Sequence, residues 1–180
     1  MDELQLIVGC KKKEGKAQKA LFDAYSYAML LLCLRYVRNQ PDAEEMMLNG
    51  FYKFFTNIDQ FSYTGAGSVA PWVKKIMINE CLMFLRKKGG LQIIDEEHAA
   101  ELAANDNIIG QLSADEIFEL ITTLPTGYRT VFNLFVVEGM GHREIAALLG
   151  ITEGTSKSQL NKARIMLQKE MRKRGVHYDK

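Results

Sequence analysis

The sequence predicts an all-α protein: two small helical domains joined by a flexible linker, the C-terminal one containing a helix-turn-helix. Three observations carry this. Apolar residues recur at helical spacing almost throughout, and strand signals are nearly absent. Capping patterns mark helix starts at Asp42-Ala43-Glu44-Glu45 and Ser113-Ala114-Asp115-Glu116. Between the two periodic halves lies an acidic, Ala/Asn-rich stretch of weak periodicity, residues 91–112.

The elements follow in chain order. Residues 1–15 are an N-terminal tail. A first helical block runs from about Lys16 to Asn39 and ends at Asn39-Gln40-Pro41. The helix begun at Asp42 carries Met46, Met47, Phe51, Tyr52, Phe54 and Phe55. Asn57 to Gly67 is turn-like, with Thr64-Gly65-Ala66-Gly67 as a clear break. Ser68 can cap a third helix reaching Lys88, with Pro71 tolerated in its first turn, and Gly89-Gly90 ends it. After the linker, 89–112, Ser113 caps a helix that stops at Leu124-Pro125. Thr126 opens another that runs to Glu138 and closes at Gly139. A short helix, His142 to Leu149, then leads through Gly150-Ile151-Thr152 into a long basic helix to about Arg174. The domains are therefore 16–88 and 113–175, with 176–180 as a C-terminal tail.

Charge distribution is more informative than the net charge of +1. Residues 1–88 hold 13 Lys/Arg against 9 Asp/Glu, residues 89–128 hold none against 8, and residues 129–180 hold 10 against 5. Basic ends suit a polyanion, and an acidic centre suits a linker that stays off it. The three cysteines, Cys10, Cys33 and Cys81, are odd in number and widely spaced, which argues against a disulfide framework. The acidic start and the shortness of the longest apolar run, Tyr27–Leu34, point to a soluble cytoplasmic protein without membrane insertion. An enzyme is disfavoured. His98, His142 and His177 are scattered, and there is no phosphate loop, no metal-spaced His/Cys set and no nucleophile–base pair. No catalytic residue, metal ligand or cofactor is expected.

The C-terminal half reads as a duplex-DNA binder. In HREIAALLGITEGTSKSQLNKARIMLQK, the short helix is apolar at Ile145, Ala146, Leu148 and Leu149. Gly150 is free to take positive φ in the turn, Ile151 packs into the angle, and Thr152 caps the second helix. On that helix Ser156, Leu160, Ala163, Leu167 and Met171 form one stripe. Thr155, Ser158, Gln159 and Lys162 fall away from it, near the N-terminal end that reaches base edges in a major groove. Lys157 and Arg164 lie on a flank suited to phosphates.

The N-terminal half reads as a second, different binder. On the helix Ser68–Lys88, Val69, Val73, Ile76, Met77 and Phe84 define a core face. Trp72, Lys75, Asn79, Leu82 and Arg86 follow another stripe, at steps of 3, 4, 3 and 4. An aromatic ring, two cations and an amide in a row suit unpaired bases: the ring stacks and the amide bonds a base edge. The spacing alone leaves Trp72 equally able to belong to the core.

With both halves in view, the chain resembles the extracytoplasmic-function class of bacterial sigma factors over roughly residues 17–88 and 113–174. The most specific segment is LPTGYRTVFNLFVVEGMGHREIAALLGITEGTSKSQLNKAR, which resembles the family's region 4. DAEEMMLNGFYKFF resembles region 2.2, the helix that docks on the clamp helices of the polymerase's largest subunit. APWVKKIMINECLMFLRKK resembles regions 2.3 and 2.4, which open and read the minus-ten element, and Asn79 matches the family's frequent Asn there. The sequence departs from the family pattern at Leu48-Asn49, usually Gln-Glu, and at Gly141, Ser156, Gln159 and Asn161, usually Ser, Val, Arg and His.

What the resemblance implies is a sigma factor that binds core RNA polymerase and starts transcription at promoters. Trp72, Lys75, Asn79 and Arg86 would meet unpaired minus-ten DNA. Thr155, Lys157, Ser158, Gln159, Lys162 and Arg164 would meet the minus-thirty-five duplex. Asp42 and Glu45 would face the polymerase at an exposed helix start, with Met46 or Met47 adding apolar contact. It further implies an anti-sigma partner and a monomer when free. A linker of about 22 residues reaches at most ~75 Å, about two DNA turns of ~35 Å, so one chain can hold both elements. The alternative is a stand-alone helix-turn-helix regulator that does not bind polymerase. The Asp42–Phe55 block followed by the Trp72–Arg86 stripe argues against it.

Overall fold

The computed structural model describes residues 2–91, 93 and 113–175. The chain divides into two compact units, Met1–Lys88 and Gly89–Lys180. Among the described residues every regular element is helical. Most of the expected linker, 89–112, and the tail 176–180 lie outside the described residues.

In the first unit, α1 (Glu3–Lys11) occupies what the sequence reads as a tail. Its start is fixed by a reciprocal cap: Asp2 Oδ1 accepts from Gln5 N at 2.8 Å, and Asp2 N donates to Gln5 Oε1 at 3.1 Å. Ile7, Gly9 and Cys10 are buried. A Cβ on Gly9 would lie 2.5 Å from Ala17 Cβ, so only glycine lets α1 approach α2 (Gly15–Val37) this closely. By length and composition α2 could cross a membrane. Here it is a core helix, with Leu21, Met29, Leu32, Cys33 and Tyr36 buried, and it packs against α1, α3 and α4.

Helix α3 (Gln40–Thr56) starts three residues earlier than the acidic run suggests. Asn39, not Asp42, is its cap, accepting from Asp42 N at 3.0 Å. Pro41 fits because first-turn N–H groups need no intrahelical partner. A short 3-10 turn, Ile58–Gln60, and an irregular loop lead to α4 (Val69–Lys87). Ser68 precedes α4 but gives no side-chain cap bond. Phe51, Phe54, Phe61, Met77, Cys81 and Leu82 fill the core, and Glu80 is buried against Lys53 at 2.5 Å. All three cysteines are buried free thiols. Burial, helped by Glu14, pushes the Cys10 thiol up to about 11. A hydrogen bond to Cys33 and then burial hold the Cys81 thiol well above its ordinary range.

The second unit holds α5 (Ala114–Thr123), α6 (Thr126–Phe132), α7 (His142–Leu149) and α8 (Glu153–Lys173). Ser113 caps α5 in the expected box, with Ser113 N donating to Glu116 Oε2 at 2.9 Å. Those bonds from Ser113 hold the Glu116 carboxyl below its usual range. The sequence reads one helix from Thr126 to Glu138, but the structure changes register partway. Asn133–Val137 is a π-helical turn, with Glu138 N donating to Asn133 O at 2.9 Å. Leu120, Ile121, Leu124, Val131, Phe132, Leu134, Ile145, Leu160 and Ala163 form the core. Arg129 lies within it at 1% exposure. Its guanidinium donates to Leu124 O at 2.6 Å and to Thr126 Oγ1 at 3.4 Å.

Candidate nucleic-acid interface

Helices α7 and α8 form the predicted helix-turn-helix. Gly150 takes φ 70°, ψ 37°, the left-handed conformation that ends α7 without a Cβ penalty. Thr152 Oγ1 accepts from Thr155 N at 3.0 Å and caps α8. At the start of α7, Gly141 N donates to Glu144 Oε2 at 2.8 Å. The stripe Ser156, Leu160, Ala163, Leu167 and Met171 is buried as expected.

Two residues expected at base edges are inside instead. Gln159 is 3% exposed and Thr155 is buried, its hydroxyl 2.8 Å from Thr152 Oγ1. The reason is that α8 packs against α5, α6 and α7, so its hidden arc is wider than one apolar stripe. The face left to solvent carries Lys157, exposed, with Ser158, Asn161, Lys162 and Arg164 half-buried. Ser158 Oγ is itself buried, which leaves that side chain little reach outward. Asn161, noticed in the sequence only as a departure from family pattern, joins this face one turn beyond Lys157. The signal for it was helical phase with Lys157 and Arg164.

His142 secures this face from behind. Its ring stacks on Phe135 at 4.4 Å, and its Nδ1 lies 2.9 Å from Ser156 Oγ. The Arg164 guanidinium sits 6.0 Å from the centre of the Phe135 ring. Burial lowers the His142 pKa below its ordinary value, with Lys157 and Arg164 adding to that and Glu153 opposing it. The folded unit therefore binds this proton more weakly than the unfolded chain. Its contribution to stability is full above the ordinary histidine pKa of about 6.5 and is lost as pH falls through the lower folded value. Calorimetry of the full chain should show the second unit melting earlier as pH drops from neutral, and His142→Gln should flatten that slope. An equal slope in both proteins would remove His142 as its source.

On α4, Lys75 and Arg86 are exposed and Asn79 is half-buried. Trp72 is half-buried, with its ring packed on Phe54 at 5.1 Å and Phe61 at 5.0 Å. It is thus a support at the edge of the core rather than a free stacking ring. Leu82, expected in the same row, is buried. Met83, one turn beyond Asn79 and 55% exposed, takes its place.

On α3, Glu45 is exposed, and Asp42 is half-buried and paired with Lys88 Nζ at 2.9 Å. Met46 and Met47 are buried, because α3 packs between α2 and α4. They cannot supply apolar contact to a partner without unpacking. Leu48 at 54% and Tyr52 at 72% exposure are the apolar groups that do face out. They follow Glu45 at helical spacing, and Leu48 is one of the two residues that depart from the family pattern.

Comparison with known proteins agrees with both halves. The family model for sigma-70 region 2 matches residues 21–90, and that for sigma-70, region 4, matches residues 114–167. The chain is 27% identical over 175 residues to the ECF RNA polymerase sigma factor SigW of Bacillus subtilis, covering 90% of this chain and 92% of that protein. It is 24% identical over 180 residues to the ECF RNA polymerase sigma-E factor of Haemophilus influenzae, covering 92% and 93%. The solved structure of CnrH in complex with the cytosolic domain of CnrY shares the fold, with a TM-score of 0.51 and 17% identity over 92% of this chain and 94% of that one. A helical first unit matching region 2, a helix-turn-helix matching region 4, and sigma-factor relatives matched along more than nine tenths of their length place this chain in the sigma-70 family, as a sigma factor of the extracytoplasmic-function class.

Proposed function

We infer that this sigma factor, which directs RNA polymerase to promoters, divides the work between two separately folded readers. The carrying observation is the α7–turn–α8 geometry, closed by Gly150 and Thr152, which leaves Lys157, Asn161, Lys162 and Arg164 on one outward face. That face suits the minus-thirty-five duplex. Lys157 and Arg164 contact phosphates, and Asn161 and Lys162 meet base edges, with Ser158 at the margin. On α4, Lys75 and Arg86 hold the backbone of opened minus-ten DNA while Asn79 bonds a base and Trp72 steadies the helix. On α3, Glu45, Asp42, Leu48 and Tyr52 face core polymerase. A stand-alone regulator has no use for this first unit.

The expected cytoplasmic location follows from the polymerase it serves. CnrH was solved in complex with the cytosolic domain of CnrY, and an anti-sigma protein is our reading for a partner of this chain. Free of both, it is a monomer.

Transcription in vitro with purified core polymerase and a promoter library tests the reading directly: no promoter-specific transcript would sink it. Within that assay, Arg164→Ala should weaken binding on all promoters alike and lower the salt slope by about one phosphate contact. Asn161→Ala should instead reorder minus-thirty-five variants, by ~1–3 kcal/mol for an altered base contact.

A further inference from the structure

Helix α1 is tied to the loop that leads into α4, at both ends. Glu3, in its first turn, uses both carboxylate oxygens. Oε1 accepts from the Tyr25 hydroxyl at 2.8 Å, and Oε2 accepts from Gly67 N at 2.6 Å. Lys11, at its last position, donates from Nζ to Phe61 O at 2.9 Å. Eight residues of helix separate these anchors by about 12 Å. The two ends of the loop, Phe61 and Gly67, are thus held by the two ends of one rigid rod.

The loop needs such a support. Gly65 and Gly67 have φ of 136° and 85°, conformations that glycine reaches freely but without commitment. Residues 62–66 include no charged side chain and end in Gly65-Ala66, so little within the loop selects one conformation. The loop also bears on α4: the Phe61 ring packs on Trp72 in the first turn, and Ser68 N donates to Gly65 O at 3.1 Å just before it. The rod itself is seated by buried Ile7 and Cys10 and by the Gly9–Ala17 approach.

We propose that α1 is a clasp that holds the 61–67 loop, and through it the start of α4, in the conformation that engages minus-ten DNA, with Glu3 and Lys11 as positioning residues. This rests on the reading of α4 as the minus-ten element. Neither residue touches DNA; each acts on the fraction of molecules whose loop is ready. If release of the clasp lowers that fraction to a tenth, opening slows by the same factor, roughly tenfold.

The test uses the full chain with core polymerase and three proteins: the parent, Glu3→Ala/Lys11→Ala, and Glu3→Gln, which keeps an acceptor for Gly67 N. The double variant should exchange its Gly67 amide proton faster, bind core within about twofold of the parent, and open duplex promoters roughly tenfold more slowly with weaker preference among minus-ten variants. Glu3→Gln should stay near the parent. Parental opening rate and base preference in the double variant, despite faster exchange at Gly67, would overturn the clasp while leaving the sigma reading intact. So would a tenfold loss of core affinity, which would make α1 a docking or folding element. If Glu3→Gln fails as fully as the double variant while its Gly67 amide stays protected, positioning through that bond is also wrong. A parent that opens no promoter would overturn the minus-ten reading itself, and the clasp with it.

Discussion

Asn79→Ala is expected to leave core polymerase binding unchanged and to slow promoter opening roughly tenfold or more. A minus-ten base must leave the stack before a protein pocket can hold it, and unstacking costs a few kcal/mol. An amide returns part of that cost, because it offers both donors and an acceptor to a base edge. On α4 Asn79 is half-buried, with exposed Lys75 one turn before it and exposed Arg86 two turns after. The defect should be largest on intact duplex and smaller on templates already mismatched across the minus-ten region, where unpairing no longer has to be offset. Permanganate reactivity of unpaired thymines measures it. A variant that opens duplex at the parental rate would show Asn79 to be an ordinary surface residue.

Arg129→Met is expected to destabilise the second unit by about 3 kcal/mol, leaving the first unit folded. A buried guanidinium depends on acceptors, and Leu124 O at 2.6 Å is one of those that Arg129 meets. Leu124 ends α5 immediately before Pro125, so the guanidinium ties that chain reversal to α6. Methionine fills much of the volume but leaves the carbonyl without this donor in a dry interior. For a unit of this size the change corresponds to more than about 10 °C in melting temperature. Calorimetry should show one transition moving and the other fixed. In transcription, promoters that depend on the minus-thirty-five element should suffer most. Two transitions moving together would show that the units do not melt independently.

What the sequence made legible was what local chemistry decides. The span His142–Leu149, the left-handed Gly150, the Thr152 cap and the Ser113 box are each set by a few adjacent residues. What it hid was set by neighbours. Helix α1 is short, and its seat depends on a contact between Gly9 and Ala17 that no periodicity reports. Asn39 and Asp42 are both good caps, and Pro41 stands between them; tolerance of proline in the first turn decides for Asn39. The π turn at Asn133 keeps a helical pattern of apolar residues and differs only in which carbonyl each amide meets. Thr155, Gln159, Met46 and Met47 were misplaced for one reason: a helix with several neighbours buries a wider arc than its apolar stripe. Thus the helix-turn-helix was readable from motif, whereas which side chains point outward required the packing.

The three buried thiols have a practical consequence. Thiol-directed dyes react with the thiolate, and at neutral pH a thiol raised to about 11, as at Cys10, is ionised in only about one molecule in ten thousand. Cys33 and Cys81 are shielded from reagent by burial, and Cys81 is held protonated as well. A cysteine introduced at an exposed position in each unit, Lys16 in the first and Lys169 in the second, will therefore label against a nearly silent background. The native chain needs no prior cysteine removal, and energy transfer between the two dyes can follow the spacing of its units as polymerase and promoter are added.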